Sequence, residues 1–63
     1  MKGELMRSRG KVVVWCRAAK GILPGFLSLN GGRVKRMRDA ASFEGVGIAI
    51  RVAQIHKVAI VSW

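Results

Sequence analysis

The chain has 63 residues, with twelve Lys and Arg against three Asp and Glu, and a formal net charge of +9 at pH 7. This length allows one small domain and excludes a dinucleotide-binding fold, a barrel and a two-domain enzyme. A single cysteine excludes an internal disulfide framework, and the 51% hydrophobic content argues against a disordered chain.

Residues 1–10 predict a flexible basic arm, because glycines lie near both ends and no hydrophobic period is visible. Residues 11–63 form the predicted single small domain. The basic group Arg7, Arg9 and Lys11 is typical of arms that enter a minor groove or fold against RNA. A disordered, solubilising terminus fits this group equally well.

Residues 11–17 predict the first strand, since three valines and a tryptophan lie between charged ends. The run is apolar on both faces, which is typical of a central strand. Trp15 and Arg17 then share one face, where Trp15 could stack on a base. We expect Trp15 to pack in the core instead, and Cys16 to be a small buried residue.

Residues 18–32 predict a loop rich in glycine. Pro24 and Gly25 fit a type II turn, in which proline fixes φ and glycine supplies a positive φ. Asn30 and Gly31 fit a tight turn of type I′. A short strand fits between these two turns. We expect plain turns here, because neither segment matches a phosphate-binding glycine motif.

A helix is predicted over residues 33–43, because this segment is rich in good helix formers and Gly45 can end the helix. Val34, Met37 and Ala41 lie on one face of this helix. Lys and Arg side chains near the start of a helix are repelled by the positive end of the helix dipole, and a bound polyanion would relieve that repulsion. The other faces carry the strongest functional signal of the sequence, four cations in six residues: Arg33, Lys35, Arg36 and Arg38.

Residues 45–63 fit two structures. Eight β-branched residues in nineteen favour a hairpin of strands 46–52 and 57–63. A helix is the alternative, because polar residues recur there with a helical period. This polar stripe consists of Glu44, Gly47, Arg51, Gln54 and Ser62, and Val58 interrupts it.

The predicted fold is a small α+β domain, with an N-terminal strand, a short basic helix and a C-terminal β-hairpin. The exposed edge of the hairpin could pair with a second copy, as in a homodimer, or with an assembly partner. The predicted core consists of Val12, Val14, Leu27, Met37, Phe43, Ile48, Ile50, Val58 and Ile60.

The net charge is concentrated in residues 1–38, which hold ten Lys and Arg against Glu4 alone, whereas residues 39–63 hold two bases against two acids. Such an excess attracts polyanions, and nucleic acid is the commonest of these. The sequence therefore predicts a non-catalytic nucleic-acid-binding module, for RNA or a ribonucleoprotein surface rather than a specific DNA operator. The predicted phosphate contacts are Arg7, Arg9, Lys11, Arg17, Arg33, Lys35, Arg36 and Arg38.

Residues 39–46 resemble the first helix and turn of a helix-turn-helix motif. The matching positions are a small residue, a glycine four positions later and then an apolar residue: Ala41, Gly45 and Val46. The resemblance implies a DNA-binding dimer whose recognition helix follows Val46. The sequence departs from the motif at Arg51 and Gln54, because the recognition helix carries apolar residues at those positions.

Catalysis and metal binding are not expected from this composition. Cys16 and His56 are the only residues of their types, and three acids leave little to orient a catalytic histidine. A zinc site needs more ligands than one Cys and one His. We therefore expect no enzymatic activity, no cofactor, no metal and no small-molecule substrate.

Neither a signal peptide nor a membrane-spanning run is evident, because the longest uncharged run, residues 21–32, contains Pro24, Asn30 and several glycines, and charged residues interrupt the other apolar stretches. The sequence thus favours an intracellular, cytoplasmic protein, although its Arg-rich, acid-poor start also fits a mitochondrial presequence. Two alternatives to nucleic-acid binding stay open. One is a cationic peptide that folds on an anionic membrane surface, and the other is a designed or random chain without an evolved function.

Overall fold

The computed structural model describes residues 1–62, which form one mixed five-stranded sheet with one α-helix. The α+β class predicted from the sequence is thereby confirmed, although several elements differ. In chain order the elements are β1 (Lys2–Ser8), β2 (Lys11–Cys16), β3 (Gly25–Leu27), β4 (Arg33–Val34), a 3-10 turn (Met37–Asp39), α1 (Val46–Ile55) and β5 (Ala59–Ser62). The strands lie in the order β4-β3-β2-β1-β5, and β5 is parallel to β1 whereas the other pairs are antiparallel.

The segment predicted as a flexible arm is largely β1, so that prediction is wrong. Arg9 and Gly10 connect β1 to β2 as a two-residue turn with φ values of 52° and 79°. Two positive φ values are typical of a type I′ turn, whose twist matches that of the flanking strands. Leu5 pairs with Val14 and packs against the core, but Arg7 interrupts the apolar alternation. The sequence therefore shows no clear strand period here.

β2 lies at the centre of the sheet, as predicted, with β1 on one side and β3 on the other. Its even-numbered residues face α1. On the helix, Ala49 and Ala53 are fully buried, and their small side chains let the helix lie close to the sheet. The core cluster consists of Val12, Val14, Cys16, Leu27, Ala49, Ala53 and Val58.

The core prediction is confirmed on the sheet and fails on the helix. Four of its residues belong to the buried cluster, and Phe43 and Ile60 pack against that cluster. Ile48 is 54% exposed, because α1 turns this side chain away from the sheet. Met37 and Ile50 are half-buried and lie outside the core cluster.

No α-helix forms over residues 33–43, so that prediction is wrong. β4 occupies the start of the segment, where Val34 pairs with Phe26 of β3. The 3-10 turn that follows has no side-chain cap at Arg36. Phe43 then pairs with Val12 through two backbone hydrogen bonds, of 2.8 and 2.9 Å. Strand pairing thus satisfies the backbone of a segment whose basic start opposes a helix dipole.

The two predicted turns have different outcomes. The tight turn between β3 and β4 exists, because the Gly31 N–H donates to the Ser28 carbonyl oxygen at 3.0 Å. Gly31 has a φ of 87° but Asn30 does not have a positive φ, so the turn is not of type I′. Gly25 lies in β3 without a positive φ, so the type II turn predicted with Pro24 is absent.

The favoured C-terminal hairpin is wrong at its first strand and right at its second. α1 replaces strand 46–52, while β5 lies within the predicted strand 57–63. The polar stripe predicted the helix correctly, since Gly47, Arg51 and Gln54 are all exposed on α1. Packing on the sheet outweighs the low helix propensity of β-branched residues. Trp63, which the hairpin prediction included, lies outside the described residues.

α1 is the one α-helix in residues 1–62, so the resemblance to a helix-turn-helix does not extend to the structure. The first helix of that motif would occupy residues 39–44. These residues instead contain the end of the 3-10 turn and the extended segment around Phe43. Within residues 1–62, no helix has the length and apolar character needed to cross a membrane.

Candidate nucleic-acid interface

The sheet has two faces, and α1 packs against one of them. We call the other one the open face. Its side chains follow from the alternation along each strand and from the register, in which Glu4 is opposite Trp15 and Trp15 is opposite Phe26. Val13 and Phe26 are buried on this face, and the other side chains on it are partly or fully exposed. The open face consists of Glu4, Met6, Ser8, Lys11, Val13, Trp15, Phe26 and Val34.

An aromatic pair lies in the middle of the open face. The ring centroids of Trp15 and Phe26 are 4.9 Å apart, and their planes meet at 70°, an edge-to-face arrangement. Met6 is 41% exposed beside them. Together with Glu4 these residues line a shallow cavity of about 280 Å³. Phe26 itself is buried, so a flat ring would contact the exposed parts of Trp15 and Met6.

Trp15 is half-buried on the open face and does not belong to the core cluster, so the expectation that it packs in the core is wrong. The reason is strand parity. Val14 and Cys16 face α1, which forces the tryptophan between them to the opposite side. The Cys16 prediction is confirmed, because this residue is fully buried.

Arg17 follows β2, and its side chain contacts Glu4, which is the strand partner of Trp15. Its Nε donates to Glu4 Oε1 at 3.1 Å, and its second nitrogen contacts the same oxygen. Both side chains are partly exposed, so water and salt screen this ion pair. Glu4 therefore positions a guanidinium beside Trp15 without burying its charge.

Three of the predicted phosphate contacts meet at the end of the open face, namely Arg9, Lys11 and Arg38. They surround a cleft of about 250 Å³ between the turn that joins β1 to β2 and residues 37–42. Lys11 also forms an exposed ion pair with Glu44, with Nζ and Oε1 3.3 Å apart. We call this the basic cleft, and its lining consists of Ser8, Arg9, Lys11, Val13, Met37, Arg38, Ala40 and Ser42.

The predicted cluster between Arg33 and Arg38 is divided by the fold. Arg33 and Lys35 border a separate groove of about 430 Å³, which also includes Leu23. There the Arg33 guanidinium donates to the Leu23 carbonyl oxygen at 3.1 Å. Arg36 is exposed between β4 and the 3-10 turn. Only Arg38 of the four lines the basic cleft.

Arg7 is exposed on the side of the sheet that α1 covers, since its partner Val12 faces the core. Of the eight predicted phosphate contacts, the structure thus brings three together at the basic cleft, with Arg17 further along the open face. Sequence reasoning missed Met6, Phe26 and Ser42. The position of Met6 could have been predicted from the sequence. If Arg9 and Gly10 are taken as a hairpin turn, the residues before them form a strand whose side chains alternate between the two faces of the sheet.

No group of three or more His, Cys, Asp or Glu residues that could hold a metal ion lies within the part of the chain that the structure describes. No protein-family model matches this chain, and no match was found among curated proteins or solved structures. The functional conclusion therefore depends on the chemistry of the open face, on the basic cleft and on the distribution of charge.

Proposed function

We propose that this protein is a non-catalytic nucleic-acid-binding module that takes single-stranded RNA, or a single-stranded part of a ribonucleoprotein, on its open face. The observation that carries the proposal is the position of Trp15, half-buried on that face near Arg17 in a chain of net charge +9. A base would stack on Trp15, and cations around it would contact the phosphates.

Single strands fit this surface better than duplexes do. Stacking on an aromatic side chain requires an unpaired base, and RNA-binding sheets use exposed aromatic residues in this way. Proteins that read a DNA major groove usually insert a helix that carries Lys and Arg side chains on its outer side. α1 carries one cation, Arg51, and its exposed side includes Ile48 and Ile55. The helix is therefore poorly suited to a phosphate-lined groove.

Charge supports the same partner class. Ten of the twelve cations belong to residues 1–38, which also supply most of the open face and its rim. Cations that neutralise phosphates release counterions, so the logarithm of the affinity should fall by about 0.7 per phosphate contact for each tenfold rise in salt. Stacking does not depend on counterion release, so part of the affinity should persist at high salt.

The test is Trp15→Ala, measured by fluorescence anisotropy with a labelled single-stranded RNA. Stacking contributes about 1–3 kcal/mol per base, so we expect the affinity to fall about 5- to 150-fold while the salt slope stays unchanged. Ile55→Ala is the matched control, because Ile55 is a large exposed apolar residue on the opposite side of the sheet. This control should bind as the unmodified protein does.

Single-stranded DNA, duplex DNA and heparin complete the panel at about 150 mM salt. We expect RNA to bind more tightly than heparin and than the duplex. Equal binding of every polyanion, or a folded Trp15→Ala variant with unchanged RNA affinity, would contradict the proposal. Circular dichroism of each variant establishes that a loss of affinity is not a loss of fold.

A further inference from the structure

The basic cleft contains groups that recognise a phosphate. Arg9, Lys11 and Arg38 supply three cations, and Ser8 and Ser42 supply hydroxyl groups that can donate hydrogen bonds. None of the described residues that line it is acidic. At about 250 Å³ the cleft lies below the usual range of drug-sized pockets and matches a small anion better.

We infer that the basic cleft is a subsite for one phosphate group of the bound nucleic acid, and this inference rests on the proposed function. Val13 forms part of the cleft lining and is two residues from Trp15 on the same face of β2. That separation is about 7 Å along the strand. A nucleotide stacked on Trp15 therefore places an adjoining phosphate within reach of the cleft.

The backbone at Arg9 is the second observation. Its φ of 52° lies in the left-handed region, which residues other than glycine, asparagine and aspartate seldom adopt. The first position of a type I′ turn favours asparagine, aspartate or glycine for this reason. This chain has an arginine there, and that arginine lines the basic cleft. Its presence is unfavourable for the turn but is accounted for if its charge serves binding.

Glu44 does not line the cleft but forms an ion pair with Lys11, which does. The pair is exposed, with Nζ and Oε1 3.3 Å apart, so its net stabilisation is small. A bound phosphate competes with this carboxylate for the Lys11 ammonium. Glu44 therefore lowers the affinity of the cleft for a phosphate group.

The experiment uses Arg9→Asn, a change that suits the turn and removes the charge. We expect the melting temperature to stay the same or rise, the RNA affinity to fall at least threefold, and the salt slope to fall by about 0.7. Arg7→Gln is the matched control, because it removes one cation two residues away on the side of the sheet that α1 covers. The logarithm of the RNA affinity should fall less than half as far in Arg7→Gln as it does in Arg9→Asn.

A second measurement separates this inference from the proposed function. Amide chemical shifts are followed by NMR while inorganic phosphate, and then short RNAs with and without a 5′-phosphate, are added. We expect phosphate to shift the amides of Arg9, Gly10 and Ser42 in the unmodified protein, and to shift them less in Arg9→Asn. A preference for the 5′-phosphorylated RNA would assign the cleft to a terminal phosphate, and equal binding would assign it to an internal phosphodiester.

The outcomes are distinguishable. RNA binding that is weakened equally by Arg9→Asn and Arg7→Gln would overturn the subsite and leave the proposed function intact. Phosphate shifts confined to the cleft without any RNA binding would show a phosphate site there, but would reject the proposed function and with it the assignment of the cleft to nucleic acid. Shifts spread evenly over all exposed cations would overturn the subsite, because they indicate a diffuse field.

Discussion

Gly3 lies where β1 is paired on both sides, with Cys16 of β2 and with Ile60 of β5. A Cβ atom at this position would lie 2.7 Å from Val58 Cγ1 and 2.8 Å from the Trp15 carbonyl oxygen. Such distances are well inside van der Waals contact. The valine is 2% exposed and the carbonyl belongs to the central strand, so neither neighbour can move away cheaply.

We therefore expect Gly3→Ala to destabilise the protein. Overpacking of a core costs about 1–3 kcal/mol, and a contact with backbone favours the upper half of that range. The net stability of a domain of this size is only about 3–9 kcal/mol. A loss of about 2–3 kcal/mol should lower the melting temperature by roughly 8–24 °C. The measurement is thermal unfolding followed by far-UV circular dichroism.

Gly47→Ala is the matched control for this prediction. A Cβ at Gly47 meets no atom within 4 Å, and this residue lies in the first turn of α1. Alanine has a higher helix propensity, so this variant should gain up to about 1 kcal/mol of stability. A Gly3→Ala variant that melts within about 2 °C of the unmodified protein would refute the close packing of β1, β2 and Val58.

Two further predictions concern single side chains. Glu44→Gln removes the exposed ion pair with Lys11, so it should change the free energy of unfolding by less than about 0.5 kcal/mol. The same variant should bind RNA more tightly, because Lys11 is then free to contact a phosphate. Weaker RNA binding would contradict the competition described for the basic cleft. Cys16 is fully buried, so a thiol reagent should label it at the rate at which the protein opens and at once in denaturant. Rapid labelling of the native protein would show that β2 is not central to a packed core.

β2 could be predicted from the sequence because its signal is local. Three consecutive valines and a tryptophan leave few alternatives to a central strand. β4 could not be predicted in this way, since its identity depends on the pairing of Val34 with Phe26 across a turn. The same holds for α1, where the polar stripe competed with eight β-branched residues. Burial of Ala49 and Ala53 against the sheet decides that competition, and it is a tertiary effect.

The candidate site was predictable in composition but not in arrangement. The sequence singled out Arg9, Lys11 and Arg38 among its cations, and assigned them to two separate clusters. The fold brings these three to one cleft and directs Arg33 to another groove. Proximity along the chain is a poor guide to proximity in space once strands pair antiparallel. Trp15 shows the reverse case, because strand parity alone sufficed to place it on the same face as Arg17.

The parallel pairing of β5 with β1 has a consequence for synthesis on the ribosome. Lys2 pairs with Ala59, so β1 waits for its second neighbour until nearly the whole described chain has been made. At about 5–20 residues per second, that interval lasts roughly 3–11 s, whereas a hairpin such as β1–β2 forms in microseconds. During this time the side of β1 that β5 later covers has no partner and is open to pairing with other chains. The stretch of β1 that β5 later covers contains Lys2 and Glu4, and charged side chains on an edge strand oppose its pairing with other chains.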